Sequence, residues 1–353
     1  MASILCSVPG RVCLLGDHMD WLGYSVITAS IDMKIFCEAT LNSQNRCEIF
    51  SYEPYSTFCE YSFDEPEIDM ENDLKYSQAV IQAIKKRDRD LQGISIRFFK
   101  PPTSSGLKNL ISGKGLSSSA ALGVATASGV YLISKLFNEQ DKNLEDVCAE
   151  TAYVAEHDIL GINCGRMDPY ACSKGGVLKI DCSIMPVSIN RYKGISGCDI
   201  IVGDSKKVKD TGKILGWLKE RYQSNEKNIT MGVENIKGLV EKGDQVLSSG
   251  DICPSKLGAL MNLNQKSLRE DLMVSGECPL SPSSLDDLVD ASLDSGAYGA
   301  KVSGSGGGGC IIALCNPKKS EKVMCAIEDV GGAAYRVKPT SRGLECGLVT
   351  GKS

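Results

Sequence analysis

Histidine is nearly absent from this chain: His18 and His157 are the only two among 353 residues. Cysteine is abundant, with 16 residues, yet no Cys-x-x-Cys pair occurs. A zinc site therefore lacks its usual ligand spacing, and a cysteine-rich metal-binding protein is disfavoured. No apolar run approaches the ~20 residues needed to span a bilayer, so no membrane partner is expected. There is no basic block and no acidic tail; the net charge of −5 comes from acids and bases mixed along the chain. That pattern argues against nucleic acid as a partner. An anionic ligand would be held by local donors rather than by a global field. The opening MASILCSVPGRVCLLGDH lacks a basic leader, and Pro9, Gly10 and Arg11 interrupt it, which is unlike a signal peptide. A cytoplasmic location follows as the expectation. Most cysteines sit inside apolar runs, as in Val12-Cys13-Leu14, and read as small buried hydrophobes in a reducing compartment. A Walker loop is missing too. Gly351-Lys352-Ser353 imitates one, with Cys346 where the first glycine belongs and no helix after it.

The chain is long enough for two domains or one large one. Short β segments are expected at 3–8 and 11–15, a long strand at 25–40, and further strands at 46–51, 57–62 and 93–100. Residues 72–88 read as an amphipathic helix ending in basic residues, which suits its dipole. Helices are expected at 117–137 and 143–160, then a strand at 176–182. After Pro186 the character changes. One strand at 198–204 precedes helices at 208–223, 229–246, 254–271 and 282–295. Strands at 299–303 and 309–315, a helix at 317–329 and a strand at 333–338 complete the reading. No regular βαβ alternation appears, so the class is α+β rather than a doubly wound sheet. The domain boundary is placed near 186–196, giving units 1–190 and 191–353.

Four segments carry candidate chemistry. Residues 113–122, Gly-Lys-Gly-Leu-Ser-Ser-Ser-Ala-Ala-Leu, run from a glycine loop straight into a helix. A helix N-terminus presents unpaired N–H groups and partial positive charge, which suit a phosphate. Gly113 and Gly115 would let the main chain approach it. Ser117, Ser118 and Ser119 can cap the helix, bond phosphate oxygens or ligate Mg²⁺. A plain serine cap on a buried helix is the competing reading. In residues 9–23 a strand ends at Gly16, and Asp17, His18 and Asp20 follow beside Trp21. Carboxylates and imidazole can read sugar hydroxyls and an indole can cover an apolar sugar face; a polar surface turn has the same composition. In residues 155–170, Glu156 opposes the dipole at a helix end, so a metal or other partner would compensate it. Asp168 precedes Pro169 and reads as a helix cap, as a functional acid or as both. The tract Ser303-Gly-Ser-Gly-Gly-Gly-Gly-Cys310 lies between two apolar strands and is read as a tight turn, not a linker.

Taken in order, these segments resemble the GHMP kinase superfamily, which includes galactokinase and mevalonate kinase. Residues 9–23 are similar to its first motif, Gly115 to Ala120 to its second, and Gly304 to Cys310 to its third. The resemblance implies a two-domain fold, with a ribosomal protein S5 domain 2-like N-terminal domain and a ferredoxin-like, helix-rich C-terminal domain. The active site would lie in the cleft between them. It implies ATP-dependent phosphoryl transfer to an alcohol, with Mg²⁺ on Ser119 and Glu156. Gly113, Lys114, Gly115, Leu116, Ser117, Ser118, Ser119 and Ala120, with Gly304, Gly306 and Gly307, would bind the nucleotide. Asp168 would act on the acceptor hydroxyl with Arg11 beside it. Arg11, Asp17, His18, Asp20, Gly165 and Asp168 would bind the substrate. Within the superfamily Arg11, Gly16, His18 and Asp20 look like galactokinase, as do Ala155-Glu156-His157 and Met167-Asp168. Leu260 to Gln265 and Gly299 to Gly304 read like mevalonate kinase. The corner that faces the substrate favours a sugar of the galactose kind, phosphorylated at its anomeric hydroxyl. Mevalonate and a non-catalytic ATP and sugar sensor are the alternatives. Cys13, Asp17 and Trp21 depart from the galactokinase signature. Arg166 adds a cation beside Asp168 that would suit an acidic or differently substituted sugar.

Overall fold

A computed structural model of the protein describes residues 2–52, 56–63, 67–137, 143–208, 211–249, 252–272 and 280–350. Gly351-Lys352-Ser353 lies outside the described residues, as do Lys209 and Asp210 near the start of the helix expected at 208.

The first half builds a mixed sheet. Its strands are β1 (Ala2–Leu15), β2 (Ser25–Leu41), β3 (Arg46–Ser51) and β4 (Thr57–Ser62). After α1 (Lys75–Arg87) come β5 (Ile94–Phe99) and the two-residue β6 (Lys108–Asn109). Helices α2 (Ser118–Ile133), α3 (Leu144–Val154) and α4 (Met167–Lys174) precede β7 (Val177–Asp181) and β8 (Ser188–Tyr192). The second half contributes β9 (Asp199–Asp204), α5 (Thr211–Gln223), α6 (Lys227–Ser248), α7 (Pro254–Glu270) and α8 (Ser283–Asp294). It closes with β10 (Ala297–Ser303), β11 (Cys310–Cys315), α9 (Ser320–Asp329), β12 (Ala333–Val337) and β13 (Glu345–Thr350).

The main sheet runs β13-β1-β2-β5-β3-β4, with β6 and β7 also on β2 and β8 on β7. The second sheet is antiparallel in the order β10-β11-β9-β12. The two expected segments at 3–8 and 11–15 are one strand, because a register shift between Pro9 and Arg11 absorbs the Pro9-Gly10 break without ending the ladder. The sequence boundary left residues 345–350 with the second unit. Pairing of Ala2 to Ser7 with Thr350 to Glu345 puts that strand in the first sheet.

Burial explains the strand patterns. β1 is buried almost continuously from Val8 to Leu15, since both its faces are covered. Val12, Leu14 and Leu15 join the apolar cluster beneath α2, while Cys13 joins a second cluster with Val302 and Ile311. Helix α2 is buried nearly all round, as its Ala- and Gly-rich sequence allows. A Cβ on Gly129 would lie 2.8 Å from that of Ala39, so the glycine sets how closely α2 approaches β2. Fifteen cysteines are described as free thiols and ten of these are buried. Among the described residues no helix is long and apolar enough to cross a membrane.

Candidate active site

Arg11 organises the centre of the molecule. It leaves β1 inside the protein, 2% exposed. Its Nε and Nη2 donate to Oδ1 of Asp168 at 2.7 and 2.5 Å. Its Nη1 donates to the carbonyl of Gly115 at 2.8 Å, and its backbone N–H donates to the carbonyl of Leu116 at 3.2 Å. One residue thus ties the acid of α4 to the loop before α2. Burial works against the guanidinium charge; the Asp168 carboxylate outweighs it and holds Arg11 above its ordinary value. Gly10 makes the close passage possible, for a Cβ there would lie 2.7 Å from the Leu116 carbonyl oxygen.

The loop enters α2 through left-handed backbone at Gly113 (φ 71°), Gly115 (φ 74°) and Ser117 (φ 62°). Ser117 stands at the cap position but makes no side-chain capping bond. Its Oγ is buried without a hydrogen-bond partner. An orphaned hydroxyl at a helix N-terminus is a cost that a bound anion would offset. Ser118 instead accepts the Gly113 N–H at 3.3 Å, which closes the loop on itself. Ser117, Ser118 and Ser119 all line a cleft of about 810 Å³ that also receives Arg11, Glu156 and Asp168.

Glu156 does not end a regular helix. After α3 the chain widens into a single π turn over Ala155–Ile159, closed by Leu160 N–H to the Ala155 carbonyl at 3.1 Å. Such turns are often found at functional sites. The turn places Glu156 in the cleft in hydrogen-bonding contact with Ser119. Burial first, and the Asp168 charge second, push its carboxyl up to about 8. Asp20 is pushed up to about 6 by the same two causes in the same order. Three carboxylates therefore crowd around one guanidinium, an arrangement short of positive charge. Ser119 and Glu156 supply hard oxygen donors at that point, which fits Mg²⁺ completed by phosphate and water oxygens.

Asp168 is the second residue of α4 rather than its cap; Arg166 holds that position. The capping expectation is corrected, and the carboxylate is left to Arg11 and the cleft. Asp20 accepts the backbone N–H of Met167 at 3.2 Å, which fixes α4 against the 16–23 corner. Gly165 is required there, because a Cβ would fall 2.1 Å from Asp20 Oδ2. His18, with φ 72°, and Trp21 share the same wall, their rings edge to face at 6.5 Å.

Some expected site residues lie elsewhere. Asp17 is 1% exposed; it pairs with the fully buried Lys301, and its Oδ1 accepts the Gly304 N–H at 2.8 Å. It joins the two sheets and is not among the cleft walls. Leu116 and Ala120 are core residues. Lys114 turns to Asp204 at the end of β9, 2.9 Å away. Gly304 abuts the phosphate-loop candidate, where a Cβ would sit 3.3 Å from the Gly115 Cα. Gly306 and Gly307 instead pack on the Leu280 carbonyl, which accepts the Gly307 N–H at 3.1 Å. Arg166 turns away from the cleft: Glu150 accepts its Nε and Nη2 at 3.0 and 2.8 Å, and Tyr153 lies under it at 3.8 Å. Asp73, Tyr76, Thr211, Leu215 and Lys219 line the cleft although no motif marked them. Lys219 belongs to a helix that reads in sequence as an ordinary amphipathic one, so only the packing reveals it.

Known proteins resemble this chain in family and fold. Residues 75–176 match the GHMP kinases N-terminal domain and residues 251–333 the GHMP kinases C-terminal domain. Residues 2–40 match the galactokinase galactose-binding signature. Mevalonate kinase of Thermococcus sibiricus is 30% identical over 354 residues, covering 97% of each chain. Galactokinase of Chloroflexus aggregans is 25% identical over 383 residues, covering 99% of this chain and 93% of that one. Among solved structures, Lactococcus lactis galactokinase complexed with galactose superposes with a TM-score of 0.77 at 20% identity, covering 97% and 95% of the two chains. Methanococcus jannaschii mevalonate kinase does so at 0.74 and 20%, covering 95% and 98%. With both family domains in chain order and a relative matched end to end, the chain belongs to the GHMP kinases and is an ATP-dependent kinase of their sugar and mevalonate type.

Proposed function

We propose that this kinase phosphorylates a hydroxyl of a sugar related to galactose, at the anomeric position, and that Asp168 and Arg11 are its catalytic pair. The single observation behind this reading is the convergence of Asp168, Arg11, Asp20, His18 and Trp21 on the cleft that Ser117, Ser118 and Ser119 also line. Both guanidinium contacts fall on Oδ1 of Asp168. Oδ2 is then the oxygen that takes or orients the acceptor proton, a role commonly worth 10²–10⁴-fold. Arg11 stands between that acid and the phosphate loop, where it helps neutralise charge on the transferred phosphoryl group. The 113–119 loop and the N-terminus of α2 hold the phosphates through backbone N–H groups and the Ser117 hydroxyl. Ser119 and Glu156 would hold Mg²⁺, which when bound neutralises the phosphate oxygens. His18 and Asp20 read hydroxyls of the acceptor, and Trp21 covers its apolar face. Gly304 shapes the floor.

Mevalonate is a second reading, favoured by the 30% identity to a mevalonate kinase along the whole chain. ADP release measured across galactose, arabinose, glucuronate, N-acetylated hexosamines and mevalonate separates the two. Release with a sugar and not with mevalonate is expected, lost in Asp168→Asn while nucleotide binding persists. Release with mevalonate alone, or unchanged turnover in that variant, overturns the proposal.

A further inference from the structure

Among the described residues, the cleft is poor in cations for a site that handles anions. Asp20, Asp73, Glu156 and Asp168 line it, against Arg11 and Lys219. Arg11 is committed to Asp168 and Gly115. Lys219 is not so engaged. It projects from α5, and its Nζ donates to Oδ1 of Asn163 at 3.1 Å. No carboxylate partner for it is found among the described residues. A half-buried ammonium bonded to a neutral amide is incompletely compensated, and Lys219 and Asn163 both line the cleft.

Position identifies which ligand it meets. Asn163 lies in the segment between the π turn and α4, two residues before Gly165, whose backbone packs on Asp20. Both Asn163 and Gly165 line the cleft with Trp21. That is the acceptor side. The phosphate side has its own donors in the 113–119 loop, and Lys114 there is occupied by Asp204. Arg166, the cation that the sequence suggested for an acidic sugar, is neutralised by Glu150 and stacked on Tyr153. Lys219 and Asn163 approach from two separate parts of the chain and offer one positive charge and an amide N–H. That pair matches a single carboxylate. A phosphate dianion among four carboxylates would ask for more positive charge than one ammonium provides.

We propose that Lys219, with Asn163, receives a carboxylate on the acceptor, so that the sugar this kinase acts on is a uronic acid rather than a neutral hexose. This rests on the sugar-kinase reading above and narrows it. The test compares kcat/KM for galacturonate and glucuronate with that for galactose and glucose, and includes galactose 6-phosphate and mevalonate. The wild-type enzyme is expected to prefer the uronates. In Lys219→Met the ratio of uronate to hexose kcat/KM should fall at least tenfold, mainly through KM, and Lys219→Arg should restore it. A purely structural lysine would lower both values together and leave the ratio unchanged. Asn163→Ala should move the ratio in the same direction, which keeps the test decisive if Lys219→Met folds poorly. Hexoses or galactose 6-phosphate used as well as uronates, or a ratio insensitive to these variants, overturns this inference and leaves the sugar-kinase reading standing. Turnover of mevalonate with no sugar accepted overturns both.

Discussion

Asp20 orients one element of the fold and, in the proposed function, also reads the acceptor. Its carboxylate accepts the Met167 N–H and so orients the start of α4, on which Asp168 stands. Burial and the Asp168 charge hold it up to about 6, above its ordinary value. Between the ordinary value and about 6 the folded protein binds more protons than the unfolded chain, so stability falls as pH rises through that window. Asp20→Asn should remove this dependence, read as a flatter melting temperature between pH 4 and 6. The same substitution should raise the acceptor KM above pH 6, since the amide replaces a charged acceptor of hydroxyl protons. Below pH 6 the wild-type KM should rise toward the variant's. An acceptor KM indifferent to both pH and substitution would remove Asp20 from the substrate corner. That His18, Asp20 and Trp21 share one polar corner was legible from residue type and spacing. That Asp17 belongs to another network was not, because its partner Lys301 lies 284 residues away.

At the scale of elements, close approach is governed by small residues. Helix α7 meets β10 backbone to backbone. A Cβ on Gly299 would lie 2.1 Å from the Gly258 carbonyl oxygen, and one on Gly258 would lie 2.5 Å from that of Tyr298. Neither neighbour is a flexible side-chain end that can yield. Gly299→Ala should therefore cost about 1–3 kcal/mol, as overpacking of a filled interior does, seen as a lower urea midpoint. A midpoint equal to wild type would mean that the two elements can separate freely. Strands with alternating or continuous apolar runs were readable, so β3 and β4 form at the residues expected. β8 and β13 were not anticipated, because their residues are mostly exposed and carry little apolar periodicity. The π turn over Ala155–Ile159 was hidden for another reason. One extra residue per turn leaves the helical pattern almost unchanged, yet it redirects Glu156 into the cleft.

The two sheets of the molecule are joined by a buried ion pair. Lys301 on β10 of the second sheet reaches Asp17 beyond the end of β1, and its Nζ also donates to the carbonyls of Cys13 and Val302 at 3.2 and 2.5 Å. Removing one partner strands a buried charge, which typically costs about 3–5 kcal/mol. Lys301→Met should lose that much by urea titration, and adding Asp17→Asn should recover most of it, because the amide oxygen still accepts the Gly304 N–H. A double variant no more stable than Lys301→Met would show that the charge is not the origin of the loss. The sequence by itself determined the α+β class, the kinase family, and the loop and three of the acids of the cleft, Asp20, Glu156 and Asp168, because each depends on residue types close together in the chain. Tertiary structure alone decided that Asp17 is a strut, that Arg166 is neutralised and that Lys219 lines the cleft beside Asn163. It also decided that the last strand closes the first sheet. Each of these is set by a partner remote in sequence, and local propensity carries no record of which distant charge or strand will fill a given place.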